Sequence, residues 1–160
     1  MKYFGCVFLF LGLAFFSREY LLRRKKQCEL YSALLSFFSH LENALARSVC
    51  PPSVIAKEFK CELLEQCGFL EALREGKSFF LAFEKVISAY KLPPAKEERL
   101  SKLFSLLRAT EYSDMRKRVS SVKEEIKLVS LQENEELEKI SKILPCLTAA
   151  FSAGFAILVI

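Results

Sequence analysis

The chain has 160 residues, 52% of them hydrophobic and 27% charged, and carries a formal net charge of +5. That length supports a single modest core. No aromatic-spaced basic stripe turns the positive charge into a nucleic-acid surface, so nucleic acid is excluded as a partner and the acidic surface that suits these residues is a lipid bilayer.

A mean hydropathy of +0.21 beside so many charges requires segregation along the chain, and residues 3–16 and 143–160 hold no charged side chain. Lys2 followed by the apolar run 3–16 has the outline of a secretory signal. No small-x-small cleavage pattern follows, because the run closes on Ala14, Phe15, Phe16 and Ser17. The helical pattern continues instead through Tyr20, Leu21 and Leu22, with Arg18 close enough to the boundary to snorkel. Arg23, Arg24, Lys25 and Lys26 then form a basic block expected at the membrane surface on the cytoplasmic side. Residues 1–22 are thus expected to be an uncleaved membrane anchor, although the apolar run is short beside the roughly 20 residues that a spanning helix uses.

Residues 23–142 are expected to form a cytoplasmic helical domain, since glycine occurs there only at 68 and 76 and proline only in pairs at 51–52 and 93–94. The first helix continues to about Arg47, with Leu30, Leu34, Phe37, Leu41 and Leu45 drawing one apolar stripe. A second helix is expected from Ser53, carrying Ile55, Phe59, Leu63 and Leu64 to a stop at Gly68. Ser78 is the expected N-cap of a third, which presents Phe79, Phe80, Phe83, Val86, Ile87 and Tyr90. A fourth runs from Ala95 to Thr110 with Leu100, Leu103, Phe104 and Leu107 on one face. After a break near Asp114, capped by Ser113 or Asp114, Val119, Val122, Ile126 and Val129 open a long arm over 115–144. The arm's opposite face is charged and includes Glu124, Glu135 and Glu138, the candidate partner face. The helices between the anchors are expected to pack as an antiparallel bundle.

Residues 143–160 form the second expected membrane helix, with Ala149, Ala153 and Ala156 spaced for close approach of another helix. Pro145 lies where the arm would enter the bilayer. Lys139 and Lys142 precede the segment, so positive charge flanks the inner side of both ends and places both termini outside the cytoplasm. The alternative is a buried core helix of a soluble protein.

Chemistry is sparse. The six cysteines form no CxxC pair, and Cys61 to Cys67 is not a zinc-ligand spacing, so they read as small buried hydrophobes in a reducing compartment and no metal site is expected. His40 and Glu42 stand two apart and do not face each other on a helix, which argues against a dyad. The acidic run at 133, 135, 136 and 138 lacks a ligand loop and reads as a solvated face. No phosphate loop, dinucleotide turn, metalloprotease pair or nucleophile elbow is present, so neither a catalytic activity nor a cofactor is expected.

Leu34, Phe38, Leu41, Glu42, Leu45 and Pro51, with Asp114 and the long helix after it, resemble the stage III sporulation protein AB family over essentially the whole chain. Departures are Ala44 and Arg47, where family members often carry an acidic residue and a tyrosine, and Thr110, Glu111, Arg118 and Val119, where Leu-Gly and glutamines are usual. The resemblance implies an all-α fold, an antiparallel bundle between two membrane helices and similar to the helical domain of type II secretion platform proteins. It also implies a structural, platform-like role in the secretion-like channel complex between mother cell and forespore, in the mother-cell membrane around the forespore. Other membrane subunits and a cytoplasmic secretion-type ATPase are the implied partners, and Leu41 with Glu42 joins the candidate partner face. The alternative function is a membrane-anchored regulatory adaptor that binds one soluble partner.

Overall fold

The computed structural model describes residues 2–47, 50–107 and 112–159, with side chains described over 11–47, 50–107, 114–151 and 153–154. Every element among them is an α-helix: α1 (Lys2–Arg47), α2 (Pro52–Glu58), α3 (Glu62–Gln66), α4 (Phe69–Arg74), α5 (Phe79–Tyr90), α6 (Pro94–Ser105) and α7 (Tyr112–Val159). The all-α expectation is met. Contacts divide the chain into two compact units, one made of Met1–Cys28 with Leu131–Ile160 and the other of Glu29–Ser130. The contiguous unit is therefore narrower at both ends than the 23–142 expected from charge.

Within the contiguous unit, the stripe on α1 is the centre of the core. Leu30, Leu34, Phe37 and Leu41 are fully buried, as is Phe38 beside them. From α7 come Val119, Val122, Ile126 and Val129, at the spacing that keeps one face inward. Aromatic rings fill the middle: Phe37 meets Phe59 and Phe69 edge-on, each at 5.4 Å, and Phe83 of α5 stacks on Phe104 of α6 at 4.1 Å and 8°. Edge-to-face and offset-stacked pairs each add about 0.5–1.5 kcal/mol beyond area burial.

The expected second helix is broken. Phe59 and Cys61 are extended, so the segment splits into α2 and α3, and α4 follows as a helix the periodicity did not indicate. Extension at Phe59 lets its ring reach Phe37 and His40. The carbonyls freed where α2 stops find a donor on α4, because Arg74 bonds Ala56 O at 3.0 Å and Phe59 O at 3.2 Å while pairing with Glu65 at 2.9 Å. Gly68, at φ 76, ends α3 and starts α4 in the left-handed region. Both proline pairs open helices: Pro52 and Pro94 stand at the first positions of α2 and α6, where a missing N–H costs nothing.

Ser78 caps α5 as expected, its hydroxyl accepting from the Leu81 N–H at 3.4 Å. The fourth helix is shorter than expected, ending at Ser105 with a turn through Leu106 and Leu107, and Thr110 lies outside the described residues. Since α7 begins at Tyr112, Ser113 and Asp114 fall inside its first turn and are not caps. Asp114 favours the positive end of the helix dipole there.

The other unit consists of parts of α1 and α7 alone. Among the described residues no helix is long and apolar enough to cross a membrane. The two expected spans, 1–22 and 143–160, run over side chains at 1–10, 152 and 155–160 that lie outside the described ones.

Candidate functional site

The unit built from 1–28 and 131–160 is where charge and exposed apolar surface meet. Going down α1 from Arg24 to Ser17, the partner on α7 moves from Glu133 to Thr148, so the two segments run antiparallel. Arg24 sits between two carboxylates, 3.0 Å from Glu133 and 2.6 Å from Glu136. The Arg24 and Glu133 side chains are only 14% and 9% exposed, so each needs the other to offset its lost hydration. Eleven angstroms of helix or so further along, the Ser17 and Thr148 hydroxyls lie 3.1 Å apart, and Thr148 also donates to the Leu144 carbonyl. Small polar side chains paired in this way hold helices together without a large apolar contact.

Between the segments runs an open groove of about 710 Å³, lined by apolar side chains such as Leu21 and Leu137 and by polar ones along its length, among them Ser17, Arg18, Glu138 and Thr148. Outside it, Leu11, Phe15, Phe16, Ile143, Leu147 and Phe151 are all exposed. Large contiguous apolar patches left exposed mark membrane or protein contacts.

The basic block resolves into different roles. Arg23 is exposed and pairs loosely with Glu19 at 3.7 Å, and Lys25 and Lys26 are exposed as well. Arg24 is instead drawn into the Glu133–Glu136 pair, so it is not an open membrane-surface cation.

The candidate partner face also divides. Leu41 is a fully buried core side chain, which removes it from any docking surface. Glu42 pairs with Lys123 of α7 within the contiguous unit. That hydrogen bond holds the Glu42 carboxyl below its ordinary range and raises the Lys123 ammonium. Glu124 and Glu138 are exposed, paired with Lys127 at 3.8 Å and Lys142 at 2.6 Å, and Glu135 is exposed too.

His40 stacks toward Phe59 at 5.4 Å, and Glu42 is turned to Lys123, so the two do not form a dyad. Among the described residues the cysteines form no disulfide; Cys67 is buried, its thiol raised by that burial and donating to the Leu64 carbonyl. No cluster of three metal-ligating side chains occurs among the described residues. The Arg24 arrangement was missed from sequence because Arg24 reads as one of four equal cations. Its signal was Glu133, an acidic residue on the apolar register of α7 that continues from Val119 to Leu137. No family model, curated protein or solved structure matches this chain.

Proposed function

We propose that the chain is a non-catalytic structural subunit of a membrane assembly, anchored by residues 1–22 and 143–160, with its helical domain on the cytoplasmic side. The observation that supports this reading is the set of large apolar side chains at the surface of the terminal unit, among them Phe15, Phe16 and Phe151 at 67%, 71% and 69% exposure. Water is a poor solvent for such a surface and lipid a good one. The uncharged sequence of 143–160 and the basic residues inside both ends support the orientation. The resemblance to the stage III sporulation protein AB family supplies the finer reading: an assembly platform in the channel complex between mother cell and forespore, beside other membrane subunits and a secretion-type ATPase.

Two measurements test it. Alkaline carbonate should leave the chain in the membrane pellet, and Lys57→Cys, at an exposed position of α2, should resist an impermeant thiol reagent in intact cells. Purification from membranes should then recover several membrane proteins together with an ATPase. Recovery of one soluble target alone would instead establish the adaptor role.

A further inference from the structure

We infer that residues 52–66 are a two-state segment, latched in a broken form by Arg74 and closing into a single helix when Arg74 is withdrawn. The inference does not depend on the membrane reading above. After Pro52 the stretch contains no further proline and no glycine. On a helix of 3.6 residues per turn, Ile55, Ala56, Phe59 and Leu63 fall within about 100° of one another, which is the apolar face of an amphipathic helix. Lys57, Glu58, Glu62 and Glu65 lie on the remaining arc, and all four are exposed. The local pattern therefore suits one helix, whereas the fold holds two, α2 and α3, of seven and five residues. Helices so short do not hold themselves without tertiary support. A conflict of this kind between local pattern and tertiary structure is where one sequence supports two arrangements of similar free energy.

Arg74 supplies the support. In a continuous helix the Ala56 carbonyl would accept from the N–H of residue 60 and the Phe59 carbonyl from that of residue 63. In the broken form both carbonyls accept from Arg74 instead, at 3.0 Å and 3.2 Å. One guanidinium thus stands in for two bonds of the helix, and its charge makes each of them stronger than a neutral one. The Glu65 carboxylate, 2.9 Å away on α3, holds the same guanidinium from the far side of the break. Arg74 keeps 31% of its side chain exposed, so it can leave its acceptors without the core opening. What the broken form gains besides is the Phe59 ring, edge-on to Phe37 at 5.4 Å and the same distance from His40. Release of Arg74 therefore couples helix closure to loss of this aromatic cover over α1.

The test follows the 13Cα chemical shifts of Phe59, Lys60 and Cys61 in the full chain in detergent. Wild type should give extended values at Phe59 and Cys61. Arg74→Gln should move all three residues to helical values and raise the helicity seen by circular dichroism. Lys60→Pro has no N–H to give the Ala56 carbonyl, and the extended Phe59 before it suits a proline. That variant should keep the wild-type shifts and melting temperature, and when added to Arg74→Gln it should return Phe59 and Cys61 to extended values. Extended shifts in Arg74→Gln would show that the guanidinium only decorates a fixed break and would overturn the inference. Random-coil shifts in that variant overturn it as well, because the segment then has no second folded form, and so does a melting temperature lowered by Lys60→Pro alone.

Discussion

Phe83 shows how far a single side chain carries the contiguous unit. It is fully buried and stacked on Phe104, which in turn meets Phe38 at 5.6 Å and Phe69 at 6.4 Å. Phe83→Ala should cost about 3–5 kcal/mol through lost transfer energy and the cavity left behind, read as a lower melting temperature of the full chain in detergent. An unchanged melt would show that the neighbouring rings collapse into the space. The Glu42–Lys123 pair is a smaller effect, because both side chains are 22% exposed, and a double-mutant cycle with Glu42→Gln and Lys123→Met should give a coupling of about 0.2–1 kcal/mol. Its pH dependence follows from the two shifts. Glu42 titrates lower in the folded chain than its ordinary 4.5, so its contribution is complete above that value and is lost as pH falls through the depressed one. Lys123 titrates higher than its ordinary 10.5, so its contribution is complete below that value and is lost as pH rises through the elevated one. The coupling should therefore be flat across the neutral range and vanish at both extremes, which chemical denaturation at a series of pH values can follow.

At the scale of elements, what the sequence made legible is what periodicity encodes. The stripe Leu30, Leu34, Phe37 and Leu41, the residues Phe79, Phe83 and Val86 of α5, and Val119, Val122, Ile126 and Val129 of α7 are all buried, because spacings of three and four put them on one side of a helix whatever they pack against. The region 59–74 was not legible. Ile55, Phe59 and Leu63 fit a helical period, but the chain extends at Phe59 to seat its ring in the core, and the unpaired carbonyls left by the break are rescued by Arg74 from a helix beyond it. A tertiary donor leaves no local signal. Arg24 is illegible for the same reason, since its carboxylates lie on a segment distant in sequence. Arg24→Leu should remove the guanidinium from beside the buried Glu133 carboxylate and cost about 3–5 kcal/mol, whereas Arg24→Leu with Glu133→Leu should recover most of that loss. Melting of the two variants beside wild type decides it, and equal losses in both would show that the pair does not act as a unit.

On the scale of the whole molecule, the exposed charges of α7 allow the proposed assembly role to be tested apart from stability. Reversing Glu124, Glu135 and Glu138 to Lys acts on exposed carboxylates, Glu138 among them in a pair with Lys142 at 67% and 73% exposure, and should change stability little. Helicity and carbonate resistance should persist while recovery of partner proteins from membranes falls. Undiminished recovery would reduce this face to a solubilising surface. The discontinuous unit has a different consequence, one of timing. Its two halves flank Glu29–Ser130, so Arg24 emerges from the ribosome well before Glu133 exists. At about 5–20 residues per second, the delay is roughly 5–20 s. Throughout it, the N-terminal half lacks the α7 segment with which Arg24 and Ser17 are finally paired. A chain cut short before Leu131 lacks the α7 half of the discontinuous unit and so never acquires the ion pairs of Arg24 with Glu133 and Glu136.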